Sequence, residues 1–326
     1  MAEKIAVIAV DIGGTKIAAG IVLFGDGAPQ VVQVTQVPTH AAAGGPQVLA
    51  TVIQQVLTTK KAAQSQGIEL RGVGISSAGV INPLTGDVTF ANEIMPGWTG
   101  TKLASEVQVA SGLPTKALND VHAHALGEAR WGAGKGSASC LVMAVGTGIG
   151  GAFIVDNHIL RGAHDVAGCI GHVLCAEAAD KPCACGRSSH LETVAAGPGI
   201  INSYVEFGGS ATLEDGTPIN GADIDKRALA GDEAAQRAEA RSGYAIGTVL
   251  GSMCNMLDPH AIVLSGSVAQ CTFYWHEALA QGFASQAMDP VAQTPILEGK
   301  LGGNAPLIGA AENFLTLGYV IEPAGE

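Results

Sequence analysis

The chain has 326 residues, 47% hydrophobic and 14% charged, which is enough for a large core and two α/β lobes and excludes a disordered chain. Seventeen basic residues against 29 acidic ones give a formal charge of −12, the wrong sign for a protein that grips a nucleic-acid backbone. No stretch has the length of a membrane span without glycine interruptions, and the opening apolar run meets Asp11 before it attains signal-peptide length, so a cytoplasmic protein without a membrane or nucleic-acid partner is expected.

In chain order, Lys4-Ile-Ala-Val-Ile-Ala-Val10 reads as a strand, followed by Asp11-Ile-Gly-Gly-Thr-Lys16 and a second apolar run that ends at Gly25-Asp-Gly27. Pro46 to Gln66 carries Val48, Leu49, Val52, Ile53, Val56 and Leu57 at helical spacing, and Gly72 to Ile81 is a short buried strand entering a loop. The apolar Ala117-Leu118 leads through Asn119-Asp120 into a helix over Val121–Arg130. Cys140-Leu-Val-Met-Ala-Val145, Gly146-Thr-Gly-Ile-Gly-Gly151, Ala152-Phe-Ile-Val155 and the turn signal Asp156-Asn157 then repeat the opening design, so one hairpin unit is expected twice. Tyr204 to Asp225 carries the weakest structural signal. Ala234 to Asp258 reads as a long helix leading into the strand Ala261-Ile-Val-Leu264, and a last helix begins near Ile308. Strands alternating with helices make the class α/β.

Glycines in a tight strand-to-strand turn expose backbone N–H groups to a polyphosphate, and Thr15 and Thr147 can add hydroxyl donors. Either turn alone could be an ordinary hairpin, but two matched turns favour phosphate cradles. Gly146, Gly148 and Gly151 also satisfy the dinucleotide fingerprint, yet that motif must open a helix, and Ala152-Phe-Ile-Val155 is strand-like. No Walker-type P-loop occurs. Asp11, beside the first turn, suits the water shell of Mg²⁺, a cation that takes few protein carboxylates, or else simply forms the turn. Asp120 could act as a base or cap its helix. Seven cysteines in a reducing compartment point to metal rather than disulfides, and Cys183 and Cys185 are the closely spaced pair. His122 and His124 match no ligand spacing and read as satisfied or solvent-facing, while Cys140, Cys254 and Cys271 read as buried small apolar residues.

Asp11-Ile-Gly-Gly-Thr-Lys16, Leu118-Asn-Asp120, Gly146–Gly151 and the stretch from Gly171-His172 through Cys183-Ala-Cys-Gly186 to Leu191-Glu192 together resemble the ROK family, bacterial sugar kinases and sugar-responsive repressors of the actin-like ATPase superfamily. The resemblance runs from about Val7 to the final helix. It implies a two-lobed actin-like (ribonuclease H-like) fold around an active-site cleft, usually in a homodimer. Residues 1–118, completed by a C-terminal helix at about 308–326, would form the N-terminal lobe, and 119–307 a C-terminal lobe with the zinc segment and dimer interface. It makes Asp120 the base that takes a proton from a sugar hydroxyl, with Asn119, His172, Glu192 and Gly79 of the Ser76-Ser-Ala-Gly79 loop on the sugar side. Asp11, Gly13, Gly14, Thr15, Lys16, Gly146, Thr147, Gly148 and Gly266 would hold Mg-ATP. His172, Cys183, Cys185 and His190 would bind a structural Zn²⁺, although the family's fourth ligand is usually cysteine and here it is His190.

The resemblance also bears on the substrate. Family glucokinases typically read Gly-Glu-x-Gly-His before the zinc histidine, whereas this chain reads Gly168-Cys-Ile-Gly-His172. A charged acceptor has become a thiol, a loss of about 1.5–3 kcal/mol in sugar recognition. Bacterial N-acetylmannosamine kinases of the family often lack that glutamate, so N-acetylmannosamine 6-kinase activity is expected, with a glucokinase using ATP or polyphosphate as the alternative. A family repressor needs a DNA-binding module before the first lobe, and the first strand begins within about four residues of Met1, so the kinase is expected over the regulator.

Overall fold

The fold comes from a computed structural model, which describes residues 5–93 and 95–316. Strand β1 (Ile5–Ile12) pairs antiparallel with β2 (Lys16–Phe24), and β2 with β3 (Gln30–Pro38). In β1 Val7, Ile8, Ala9 and Val10 are all fully buried, the unbroken pattern of a strand covered on both faces. One cover is α1 (Gly45–Ser65), started by Pro46 in its first turn and packed through Val48, Val52 and Val56. Next come β4 (Leu70–Ser77), the small ribbon β5 (Val80–Ile81) and β6 (Val88–Phe90), α2 (Leu103–Ser111), β7 (Thr115–Asn119) and α3 (Asp120–Trp131). Strands β4 and β7 run parallel to β1, giving a sheet of order β3-β2-β1-β4-β7.

The second sheet also has five strands. Its strands β8 (Ser139–Val145), β9 (Ile149–Val155) and β10 (His158–Ile159) are followed by α4 (Glu192–Ala195), α5 (Gly197–Glu206), α6 (Gly221–Leu229) and α7 (Glu233–Leu257). Then come β11 (Ala261–Ser265), α8 (Phe273–Gln286), β12 (Ile296–Glu298) and α9 (Ala305–Leu315). The order is β10-β9-β8-β11-β12, with β10 antiparallel to β9 and β11 parallel to both β8 and β12. Helices α7 and α8 pack closely: a Cβ on Gly243 or Gly247 of α7 would come within 2.1 Å of a carbonyl oxygen of α8.

Contacts divide the chain into two compact units, one of Met1–Gly136, Ala152–Ala167 and Lys300–Glu326, the other of Ser137–Gly151 and Gly168–Gly299. The division lies beyond the expected 118/119 boundary because α3 packs along α9, and α9 places Leu307, Ile308 and Ala311 against Val7, Ala9, Val22 and Phe24 of the first sheet. The Glu312 carboxylate ties this pair together, accepting hydrogen bonds from Trp131 Nε1 at 2.7 Å and Arg130 Nη2 at 2.8 Å. The expected C-terminal helix beyond residue 316 lies outside the described residues.

The weak stretch Tyr204 to Asp225 is more ordered than its composition suggests. Helix α5 extends to Glu206, a turn closes through Leu213 N–H to the Thr217 carbonyl at 2.8 Å, and α6 begins at an Asn220/Asp223 capping box. Among the described residues, no helix is long and apolar enough to cross a membrane.

Candidate active site

Strand β7 ends on Asn119, and that side chain organises the start of α3. Its Oδ1 accepts hydrogen bonds from Val121 N–H at 3.0 Å and His122 N–H at 3.1 Å, which makes Asn119, rather than Asp120, the N-cap of α3. Its Nδ2 donates to the Gly79 carbonyl and to Asp120 Oδ1, each at 2.9 Å. An amide side chain has two acceptor positions and two N–H donors, so Asn119 is fully used within the protein. It holds Asp120 and the Gly79 turn; a sugar contact would require one of these bonds to be given up. Gly79 has φ +100°, and a Cβ there would lie 2.7 Å from the Phe90 carbonyl oxygen, so the turn requires glycine.

Asp120 is partly buried in the first turn of α3 and also accepts from Val121 N–H at 2.9 Å. Burial, and after it the negative charge of Asp11, push its carboxyl up to about 6, against the hydrogen bonds from Val121 and Asn119. Burial raises Asp11 as well, opposed by the 2.6 Å hydrogen bond that the Ser76 hydroxyl donates to its Oδ1 and by Lys16. Ser76 and Ser77 are themselves buried, Ser77 accepting the Trp98 indole N–H at 3.2 Å. Near neutral pH Asp120 is thus a desolvated carboxylate fixed in one orientation, the state a general base needs.

The two glycine turns are alike in span, residues 13–15 joining β1 to β2 and residues 146–148 joining β8 to β9. Gly13 N–H donates to the Lys16 carbonyl at 3.0 Å and Thr39 Oγ1 to the Gly13 carbonyl at 2.6 Å. Gly146 N–H donates to the Gly148 carbonyl at 2.9 Å, and Gly197 N–H, opening α5, to the Gly146 carbonyl at 2.8 Å. Thr15, Lys16, Thr147 and Gly148 are exposed, and Gly14 is partly so. Gly266, at φ +94°, follows β11, and a Cβ there would stand 2.1 Å from the Val145 carbonyl oxygen, so only glycine lets this turn lie against the end of β8.

In the second unit a cavity of about 560 Å³ is lined by Gly146 and Thr147, by Gly197, Pro198, Ile200 and Ile201 of α5, by Gly221, Ala222 and Asp225 of α6, and by Ser267, Val268, Gln270 and Cys271 after β11. Only Gly146 and Thr147 were marked by the sequence. The α5 and α6 residues carried no motif, and Cys271, expected to be buried, is half-exposed in the cavity wall. The Gly146–Gly148 turn therefore borders a half-open cleft of the size that small-molecule sites occupy.

The structure also brings the four metal-ligand candidates together. The donor atoms of His172, Cys183, Cys185 and His190 all lie within 4.8 Å of one another, with Cys183 Sγ 3.6 Å from His172 Nδ1 and Cys185 Sγ 3.3 Å from His190 Nδ1. Zinc bonds of 2.0–2.3 Å at tetrahedral angles set such donors roughly 3.3–3.8 Å apart, a spacing that the His172–Cys183 and Cys185–His190 pairs have, within a set that extends to 4.8 Å. Glu192, opening α4, places Oε1 3.3 Å from Cys183 Sγ and 3.6 Å from His172 Nδ1, while Oε2 faces the backbone of Gly148 and Gly171. Glu192 and His172 are thereby neighbours.

Of the two histidines of α3, His122 is satisfied as expected and His124 is not. His122 is buried with Nε2 2.9 Å from the Ala167 carbonyl, just before the Gly168–Cys169 step. His124 Nε2 is buried and has no hydrogen-bond partner among the described residues, so it is neither satisfied nor solvent-facing. Cys140 and Cys254 are buried as expected.

The two-sheet α/β fold, with its paired glycine turns and a held aspartate, is shared with ATP-dependent sugar kinases. The ROK family profile matches residues 7–316, and the chain belongs to that family. A glucokinase of Streptomyces coelicolor is 30% identical over 320 residues, covering 94% of this chain and 96% of the relative. An N-acetylmannosamine kinase of Yersinia pseudotuberculosis is 30% identical over 304 residues, covering 93% and 96%. The structure of a ROK family glucokinase from Streptomyces griseus in complex with glucose and AMPPNP superposes with a TM-score of 0.77 at 29% identity, over 94% of this chain and 98% of that one.

The raised Asp120 carboxyl has a kinetic signature. Because the base must be ionised, kcat/KM should fall tenfold per pH unit below about 6. Asp11→Asn removes a like charge, so its residual activity should keep an acid limb displaced to lower pH. A limb near the ordinary aspartate value in the wild type would remove Asp120 from this role.

Proposed function

We propose that the chain transfers the γ-phosphate of Mg-ATP to the 6-hydroxyl of a hexose, with N-acetylmannosamine as the preferred acceptor. The observation that carries this is the Asn119-held Asp120 carboxylate, poised near pH 6 in the first turn of α3. As the O6–P bond forms and the bond from the γ-phosphorus to the ADP oxygen breaks, the O6 proton passes to Asp120. Asp11 would face the water shell of the Mg²⁺ that accompanies ATP, and the turns at Gly13–Lys16 and Gly146–Gly148, with Gly266, would present N–H groups to the phosphates. Asp120→Asn keeps the shape and removes the base, so kcat should fall by orders of magnitude with sugar and ATP binding retained; near-normal turnover would reassign the base.

His172, Cys183, Cys185 and His190 would hold one structural zinc, with four protein ligands leaving no open position for a reactive water. The ion would fix the orientation of His172 and, through it, the setting of Glu192 beside Gly171. Protein purified without a metal-binding tag should carry about one zinc per chain, and Cys183→Ala should lose metal and sugar affinity together. A metal-free wild type with full activity would refute this role. The protein would work in the cytoplasm as a homodimer.

The acceptor is argued from Cys169. It is exposed at the loop that leads to His172, and partial burial together with the Glu192 charge pushes its thiol up, so it remains a neutral, weak hydrogen-bonding group where glucokinases of the family carry a carboxylate. The glucokinase relatives keep glucose as the second reading. Comparing kcat/KM for N-acetylmannosamine and glucose, with ATP and polyphosphate as donors, separates them. N-acetylmannosamine should be preferred, and Cys169→Glu should move the ratio toward glucose; a clear preference for glucose in the wild type rejects the assignment.

A further inference from the structure

The wall of the cavity contains a pair of carboxyl groups that phosphoryl transfer does not use. Glu239, on α7, is fully buried; its Oε2 accepts the hydroxyl of Thr272, and its Oε1 is buried with no hydrogen-bond donor among the described residues. The group beside it is the carboxyl of Asp225 on α6, and Asp225 lines the cavity together with Gly146, Thr147 and Gln270. Two adjacent carboxylates cannot both stay ionised in a buried setting, and an orphan oxygen there is costly. One proton between them would resolve both, with Glu239 O–H donating to Asp225 and the pair's one negative charge left at the cavity surface. Burial and the neighbouring Asp225 push the Glu239 carboxyl up to about 7, and burial with both carboxyls pushes the Cys271 thiol up, so that it too stays neutral.

A negative charge in the wall of a phosphate-binding space repels an anion composed only of phosphates. It suits a donor whose far end offers paired hydroxyls, because a carboxylate is an acceptor-only group with two oxygens. The α5 residues Pro198, Ile200 and Ile201 add apolar wall of the kind on which a flat base can lie. We propose that Asp225, kept as the charged member of a one-proton pair by Glu239, accepts the vicinal ribose hydroxyls of a nucleoside triphosphate and thereby selects a ribonucleotide over deoxy analogues and over inorganic polyphosphate. This rests on the reading of the cavity as the phosphate-donor site.

Calorimetric binding of ATP, 2′-deoxyATP, 3′-deoxyATP and inorganic tripolyphosphate, with Mg²⁺ present, tests it on the wild type and on Asp225→Ala, Asp225→Asn and Glu239→Gln, each checked for folding by thermal denaturation. The wild type should bind ATP roughly tenfold or more tightly than either deoxy analogue, and tripolyphosphate more weakly still. Both Asp225 variants should abolish the preference, bringing ATP and the two deoxy analogues to one common, weaker level. Glu239→Gln, whose amide can donate to Asp225 as the protonated acid does, should keep the ribose preference. Equal binding of ATP and its deoxy analogues by the wild type, or a ribose preference that survives in the folded Asp225→Asn variant, would overturn the assignment while leaving the donor site in place. A wild type that binds tripolyphosphate but no nucleotide, and forms no sugar phosphate from ATP, would overturn the donor-site reading as well.

Discussion

The side chain of Asn119 uses both of its acceptor positions and both of its donor protons beside Asp120, and the local geometry of the first unit depends on that saturation. Two of the bonds start α3, one reaches across to the Gly79 carbonyl, and one fixes Asp120 Oδ1. A carboxylate at the first turn of a helix would ordinarily be free to rotate into solvent. Here it is held by an amide that has no other option, at the end of a strand whose neighbour, β4, carries the Ser76 that fixes Asp11. The partial burial that comes with this position raises the Asp120 carboxyl, so orientation and basicity have one cause.

A different constraint governs the second unit. From Gly168 to Leu191 the chain has no element longer than a three-residue helical turn and folds back on itself by single backbone bonds, such as Cys175 N–H to Ser189 carbonyl at 2.9 Å and Cys183 N–H to Arg187 carbonyl at 2.7 Å. A long segment of this kind has little intrinsic reason to adopt one conformation. The convergence of two thiols and two imidazoles at its centre provides such a reason if they share an ion, since metal binding then contributes folding free energy directly to this segment. Glu192, at its end, joins that centre to the Gly148 turn, so loop order and phosphate-turn geometry are linked through one side chain.

The parts of this structure that were legible in the sequence are those written in local pattern. Strand, glycine turn and strand could be read at Ile5–Phe24 and Ser139–Val155, the long helix was expected at Ala234–Asp258 and found at Glu233–Leu257, and Cys183 and Cys185 stood out as a close pair to which the family resemblance added His172 and His190. What could not be read was set by tertiary packing. The first unit extends past residue 118 because α3 lies against α9, a contact between segments far apart in sequence. Asn119 was placed on the sugar side by the family resemblance, and the four hydrogen bonds it makes within the protein could not be read from the sequence. The cavity residues of α5 and α6 follow no motif, and α6 itself was hidden by the Gly, Asp and Thr residues of its capping turn. The same limit concealed Glu239 and Asp225, which lie on different helices.

The central claim is that packing and Asp11 hold Asp120 as a base close to neutral pH. Carbon-13 NMR titration of the aspartate carboxyl carbons in the free protein, with the Asp120 resonance assigned by its loss in Asp120→Asn, tests it without relying on turnover. The Asp120 carboxyl should titrate at about 6. An Asp120 carboxyl that titrates with the exposed aspartates, near the ordinary value of about 3.9, would contradict it.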